Sequence, residues 1–368
     1  MKTIFRTYQF ELQPTQEQKV LLDKHFGCIR FVYNYFLNER KEQYQVDKKS
    51  DNYYAQAATL TELKKKEETV WLKEVNSQSL QFALRCLDTA YVNFFRGNAE
   101  FPRFKSRKKK NTFTVPQFAK LEDGKVHVPK FKEGIKVNIH REVKGKLGKC
   151  TLSKTPTGKY FVSILSEEQY QPKEKTGTVC GIDLGLKDFA ITSDGIKFKN
   201  NKHTKQYEKQ LAKAQKHLSR KTKGSTSFEK QKRKIALIHE KITNSRMDNL
   251  HKVSHQLTSD YDIITLEDLN VKGMVKNHKL AKHISDASWG TFVRLLEYKA
   301  DWNDKQIVKI NRWYPSSKTF YVVKQEIGEF FLDRYLCAVN PKRTWALLES
   351  NSPAIGFMTV NTAWKPPE

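Results

Sequence analysis

Gly181-Ile182-Asp183-Leu184-Gly185 sets a carboxylate inside an apolar run that begins at Thr178, and eighty-four positions later (267 minus 183) Ile263-Ile264-Thr265-Leu266-Glu267-Asp268-Leu269 repeats the arrangement. Each run is short and apolar, so each reads as a buried strand that carries an acid. A buried acid needs a partner or a metal, because leaving a charge unpaired away from water is costly. Two strand-borne carboxylates can converge on one divalent cation, and hard oxygen donors suit Mg²⁺. The structural alternative is that Asp183 caps a turn and Glu267 caps a helix.

Outward from these runs, residues 261–266 and 307–310 read as further strand, and Trp289 to Tyr298 as a helix, which together imply an α/β sheet. Residues 203–258 are rich in Lys, Gln and Glu and break near Lys223-Gly224-Ser225, the pattern of two antiparallel helices inserted between strands. The polar stretch Gln171-Pro172-Lys173-Glu174-Lys175-Thr176-Gly177 is a linker in front of this domain. Upstream, short alternating segments at 112–118, 125–128, 135–139, 148–154 and 159–165 suit a small β-barrel that an opening strand over 4–12 completes. Pro14-Thr15 with Gln18 opens an amphipathic helix, and apolar residues at three- and four-residue intervals from Ala55 to Phe95 predict a second helical stretch.

Charge names the partner class. The chain of 368 residues carries 67 Lys and Arg against 40 Asp and Glu, a net +27, and such a surface suits a polyanion whose counterions it displaces. Residues 319–368 hold five basic and five acidic side chains, so all of that excess lies before them. The run Phe101-Pro102-Arg103-Phe104-Lys105-Ser106-Arg107-Lys108-Lys109-Lys110 reads as a phosphate-gripping loop, with Arg103, Lys105, Arg107, Lys108, Lys109 and Lys110 as its cations. No apolar stretch is long enough for a membrane span and no signal-peptide region opens the chain, so a cytoplasmic protein is expected. The five cysteines stand singly, which argues against a disulfide framework or a Cys-rich zinc ribbon.

Four segments resemble the TnpB family, the transposon-encoded relatives of type V CRISPR effectors: Phe101-Pro102-Arg103-Phe104-Lys105-Ser106, Gly181 to Gly185, Leu266-Glu267-Asp268-Leu269, and Arg312-Trp313-Tyr314-Pro315-Ser316-Ser317-Lys318-Thr319. They occur in the family's order, and the resemblance spans residues 1 to about 319. The resemblance implies a multidomain α+β chain: an OB-like wedge β-barrel from residues 1–10 and 101–172, an inserted helical recognition lobe from 11–100, and a RuvC-type, RNase H-like α/β domain over 176–318 with the helical insertion 203–258. It implies a guide RNA and double-stranded target DNA as partners, with the guide reading sequence and the protein reading a short adjacent motif. Asn76, Ser77, Gln78 and Gln81 are the candidates for that motif. Asp183 and Glu267 would be the first two catalytic acids and the ligands of a weakly held Mg²⁺.

The resemblance breaks after Thr319. The family continues with paired cysteines and a third acid, whereas here the first two cysteine positions are Phe320 and Val323, so no zinc is expected. Asp333-Arg334 is the only echo of the third acidic motif, and 319–368 reads as a divergent tail replacing ribbon and motif. With two carboxylates in place of three, positioned charge is short by one ligand and cleavage should be severely impaired. The expectation is therefore an RNA-guided DNA-binding protein with an inactivated nuclease centre, and its resemblance to nuclease-dead TnpB-like members of the family implies a transcriptional repressor. The competing readings are an active Mg²⁺-dependent RNA-guided endonuclease that recruits Asp333 or Glu329, and a decaying reading frame without a role.

Overall fold

A computed structural model describes residues 1–48, 51–107 and 111–311, and these divide into two units, Thr3–Gln169 and Met1–Lys2 with the chain from Tyr170 onward. The tail, the Arg312 to Thr319 motif and Asp333 lie outside the described residues, as do Lys108, Lys109 and Lys110.

The first unit opens with strand β1 (Lys2–Gln13), whose inward positions Ile4, Tyr8, Phe10 and Leu12 are buried. Helix α1 (Gln16–Asp47) follows at once, because Thr15 and Gln18 form a reciprocal capping box, the Thr15 hydroxyl accepting from Gln18 N and the Gln18 amide oxygen from Thr15 N. Its buried stripe, Leu22, Phe26, Ile29, Val32, Phe36 and Leu37, has the predicted helical spacing.

The expected continuous helix over 55–95 is instead three pieces: α2 (Tyr53–Leu63), a 3₁₀ segment (Glu67–Glu74) and α3 (Ser77–Phe95). The hydroxyl of Thr69 donates back to the Leu63 carbonyl, and Asn76, in extended backbone, caps α3 by accepting from Gln78 N. Leu72 and Val75 are buried across the break, so apolar spacing continues where the hydrogen-bond ladder does not.

Six further strands, β2 (Asn111–Val115), β3 (Lys120–Glu122), β4 (Lys125–His127), β5 (Ile135–Asn138), β6 (Lys146–Lys154) and β7 (Tyr160–Tyr170), join β1 in a sheet of order β2-β6-β7-β1-β5-β4-β3. The helices and this sheet share one hydrophobic core: His25 of α1 packs on Phe113 and Phe131 at ring distances of 4.7 and 5.4 Å, and Phe26 stands edge-on to Phe113. The helical segment and the strands are thus a single packed body.

The second unit holds a five-stranded sheet of order β10-β9-β8-β11-β12, from β8 (Val179–Leu184), β9 (Asp188–Thr192), β10 (Lys197–Lys199), β11 (Ile263–Glu267) and β12 (Gln306–Ile310). β8, β9 and β10 form an antiparallel meander, while β11 runs parallel to both β8 and β12. Between β10 and β11 come α4 (His203–Ser219) and α5 (Thr226–Asp260), the two helices expected there, with Ser225 capping α5. The short α6 (Val271–Met274), α7 (His278–Ala287) and α8 (Trp289–Trp302) follow β11. Leu250 and Leu257 of α5, Phe292 and Leu296 of α8, and Ile182, Phe189 and Leu266 of the sheet form its core.

A buried ion pair ties the N-terminal edge of this sheet together. Asp262, directly before β11, pairs with Lys305, directly before β12, at 3.1 Å, their side chains 6% and 2% exposed. Asp262 also accepts from Thr176 N and Gly177 N at 2.5 and 2.6 Å, which anchors the approach to β8. Burial pushes this carboxyl upward, but the Gly177 amide and Lys305 outweigh it and hold it below the usual carboxylate range. Lys305→Met strands the buried charge and should cost about 3–5 kcal/mol in urea unfolding; a loss below about 1 kcal/mol would mean that the pair does not anchor the strands.

Candidate functional site

The register of the central strands places the two acids. β8 and β11 pair as Ile263 with Val179, Ile264 with Cys180, Thr265 with Gly181 and Leu266 with Ile182, always with the offset of 84. The next step sets Glu267 abreast of Asp183 at the C-terminal ends of two adjacent parallel strands. Side chains alternate along a strand, so both acids lie on the face opposite Ile182 and Leu266, whose burial fixes the register. Behind Asp183 the chain turns tightly into β9: a Cβ on Gly185 would sit 2.9 Å from the Asp188 carbonyl oxygen, so the turn excludes any side chain there.

Burial raises the Asp183 carboxyl above its ordinary range, the like charge of Glu267 raises it further, and the Leu184 backbone only partly opposes them. Among the described residues neither acid has an ion-pair partner, unlike the buried Asp262 and Asp286. A close pair of uncompensated hard-oxygen donors fits a divalent cation. The described residues contain no group of three or more His, Cys, Asp or Glu able to hold a metal, so the donor set found is this pair.

The candidate nucleic-acid residues separate into two places in the first unit. Arg103, Lys105 and Arg107 are exposed, on a segment that α1 holds in place: the Asn34 side chain donates to the Lys105 carbonyl at 2.9 Å and accepts from Lys105 N at 2.7 Å. Lys105 lies over the Tyr33 ring at 3.9 Å, and Arg103 pairs with Glu100.

At the start of α3, Ser77 and Gln81 are exposed and Gln78 is half-buried, but Asn76 is 6% exposed. Asn76 caps the helix through its side chain, and its backbone N donates to His25 Nε2 at 3.2 Å. Asn76, buried as the helix cap, is therefore the least exposed of the four candidates.

Sequence reasoning missed Asn34, which nothing in its local pattern distinguishes from a surface polar residue. It also missed Gln117, whose side chain accepts from Gln78 Nε2 at 3.4 Å, and Asp286. Asp286, on α7, accepts from Thr204 N and its hydroxyl at the start of α4 and pairs with Arg246 of α5 at 2.8 Å. Burial would raise this carboxyl, yet the bonds from Thr204 and Arg246 hold it low. The lone acid in the basic 278–288 stretch was the available signal.

Three family models match the chain: one described as a probable transposase, OrfB of IS605, over residues 161–278, one as a helix-turn-helix domain over 1–49, and one as a Cas12f1-like TNB domain over 289–346. Within the second match the structure has β1 followed by the single helix α1. The third reaches beyond Thr319, where the motif resemblance stops. A Streptomyces pristinaespiralis protein named "Putative RNA-guided DNA endonuclease" is 39% identical over 323 residues, 86% of this chain and 80% of that one. A protein of Escherichia coli K12 with the same name, InsQ, is 34% identical over 334 residues, 86% of this chain and 83% of that one. A solved Cas12f1–sgRNA–target DNA complex is similar at 10% identity and a TM-score of 0.43, covering 86% of this chain and 91% of that one.

The raised Asp183 carboxyl gives a signed prediction. A group held above its unfolded value costs nothing at a pH below that value and costs stability as pH rises through its folded value. Asp183→Asn should therefore raise thermal stability at pH 7.5 in metal-free buffer, with the gain vanishing below about pH 4. Millimolar Mg²⁺ should raise the melting temperature of the wild type more than that of the variant. Equal shifts in both would remove the cation from this pair.

Proposed function

Because the chain belongs to the TnpB family of transposon-encoded proteins, we propose that it is an RNA-guided, sequence-specific DNA-binding protein that occupies its target without cutting it efficiently. The pair Asp183 and Glu267, abreast on adjacent parallel strands and uncompensated among the described residues, carries the assignment to a nuclease-type fold. The reading that cutting is impaired rests on the sequence beyond Thr319, which keeps only Asp333 as an echo of the third acid. The surrounding sheet supports a RuvC-type, RNase H-like assignment: counted from β8 its order is 3-2-1-4-5, an antiparallel meander with two parallel strands added beside the first.

The surplus of 27 positive charges suits a guide RNA and a DNA duplex, and the helices α4 and α5 bring Lys and Arg to one insertion. In this reading residues 1–10 and 101–172 act as the wedge barrel, Ser77, Gln78 and Gln81 face the adjacent DNA motif, and Arg103, Lys105 and Arg107 hold phosphates. Pairing between guide and target supplies the sequence.

Asp183 and Glu267 would hold a Mg²⁺ ion, which when bound polarises a phosphodiester and lowers the pKa of its water. Phosphoryl transfer depends on positioned charge, and the sequence replaces the family's first cysteine pair with Phe320 and Val323 and keeps only Asp333 as an echo of the third acid. Residence on DNA then blocks polymerase, which makes the protein a transcriptional repressor.

An active Mg²⁺-dependent endonuclease is the second reading. It is favoured by the aligned pair and by the TNB-domain match running past Asp333 to 346. Purified protein with its co-purified RNA, mixed with a guide-matched plasmid and Mg²⁺, separates the two. The proposal expects a footprint and at least about a hundredfold slower cleavage than an active relative; double-strand breaks at a comparable rate, abolished by Asp183→Ala, would establish the endonuclease. A purified chain that retains no RNA would end both readings.

A further inference from the structure

The end of α3 and the segment behind it display a cluster of aromatic rings that the function proposed above does not use. Tyr91 and Phe95 stack with centroids 6.2 Å apart and planes 27° from parallel. Phe101 stands edge-on to Tyr91 at 5.6 Å and to Phe94 at 5.2 Å. Tyr91 is buried, but Phe95 is 75% exposed, Phe104 47% and Phe101 39%. Neighbouring phenyl groups left in water forgo the burial that normally stabilises them, and a patch of this kind marks an interaction surface.

Its surroundings state the chemistry of the partner. The Lys41 ammonium lies 4.8 Å from the Phe104 centroid and 5.3 Å from that of Phe101. Arg96, Arg103 and Arg107 are exposed beside these rings in sequence, against Glu100, which is already paired with Arg103. The bonds from Asn34 to both sides of Lys105 hold the ring-bearing segment against α1, so the surface is formed before anything binds.

We propose that Phe95, Phe101 and Phe104 form a stacking platform for unpaired nucleotides of the guide RNA, with Lys41 and the neighbouring arginines taking the phosphates. The proposal rests on the RNA-guided reading above. Rings bounded by cations match a ligand that alternates flat π faces with anions, and a base has such a face whatever its identity. A duplex hides those faces inside its stack and would use only the charges. Among single strands a resident one is favoured, because rings exposed in the free protein are an association hazard that a constitutively bound RNA covers. A displaced DNA strand would be present only during target engagement.

The test compares wild type, a Phe95→Ala/Phe104→Ala double variant and Phe95→Trp/Phe104→Trp, each as the full chain stripped of RNA. Both sites are exposed, so unchanged melting temperatures are expected and checked first. Poly(U), poly(dT) and a blunt RNA duplex are the probes. The double alanine variant should bind poly(U) roughly tenfold or more weakly, with its duplex affinity unchanged and poly(U) binding restored by the tryptophans. Ultraviolet crosslinking of the native complex should join RNA to peptides carrying Phe95 or Phe104. Unchanged poly(U) affinity in the alanine variant would overturn the proposal, and so would a loss confined to poly(dT), which assigns the patch to a DNA strand. A wild-type protein that binds poly(U) but co-purifies with no RNA would instead overturn the RNA-guided reading and leave a general single-strand platform.

Discussion

Two carboxylates of like charge, held side by side at the ends of neighbouring parallel strands, are the constraint around which the second unit is built. Left free, such groups would separate or take up a proton. Here the backbone ladder between β8 and β11 forbids the first, and its register is enforced by Cys180, Ile182, Ile264 and Leu266 on the opposite face. Sliding β11 by one residue would turn that apolar set toward the acids and the acids into the core. The cost of repulsion at Asp183 and Glu267 is therefore offset by burial beneath them, which is how a fold stores an electrostatic cost at a site that a cation can relieve.

That arrangement was open to reading because it is local. An acid inside an apolar run, twice, with strand-length runs, is visible in residues 178–185 and 263–269 without knowing what lies between. The equal offset of 84 carried more than spacing, since a parallel ladder repeats one offset at every step. The insertion was equally legible, because Lys223-Gly224-Ser225 interrupts a long polar helical pattern and Ser225 does cap α5. The region from Ala55 to Phe95 was not, since apolar periodicity reports which residues face the core and is silent on whether the hydrogen-bond ladder persists. Leu72 and Val75 kept that face while the Thr69 hydroxyl and the Asn76 cap interrupted the helix. Nor could spacing show that α1 and the sheet share a core, because contacts such as His25 on Phe113 join residues far apart in the chain.

The contrast among the buried acids of the second unit sharpens the reading of the site. Asp262 and Asp286 are at least as buried as Asp183, yet each is matched by a cation and by backbone donors that favour its charged form. Their work is structural: one anchors the starts of β8, β11 and β12, and the other fastens α4 to α5 and α7. A fold that compensates these charges has the means to compensate a third. The absence of an ion-pair partner for Asp183 among the described residues thus separates it from the acids that only hold the fold.

Gripping and cutting nucleic acid make different demands on a protein. Grip is distributed: many cations each add a modest, screened increment, and removing one leaves the others in place. Scission is concentrated, because the developing charge of one phosphate must be met by a few ligands in fixed positions, and losing one removes orders of magnitude. The proposed binder follows from that asymmetry. Residues 319–368 carry five basic and five acidic side chains, so they add nothing to the net charge of the rest. In the proposed binder, a change confined to such a segment would reach the concentrated function and spare the distributed one.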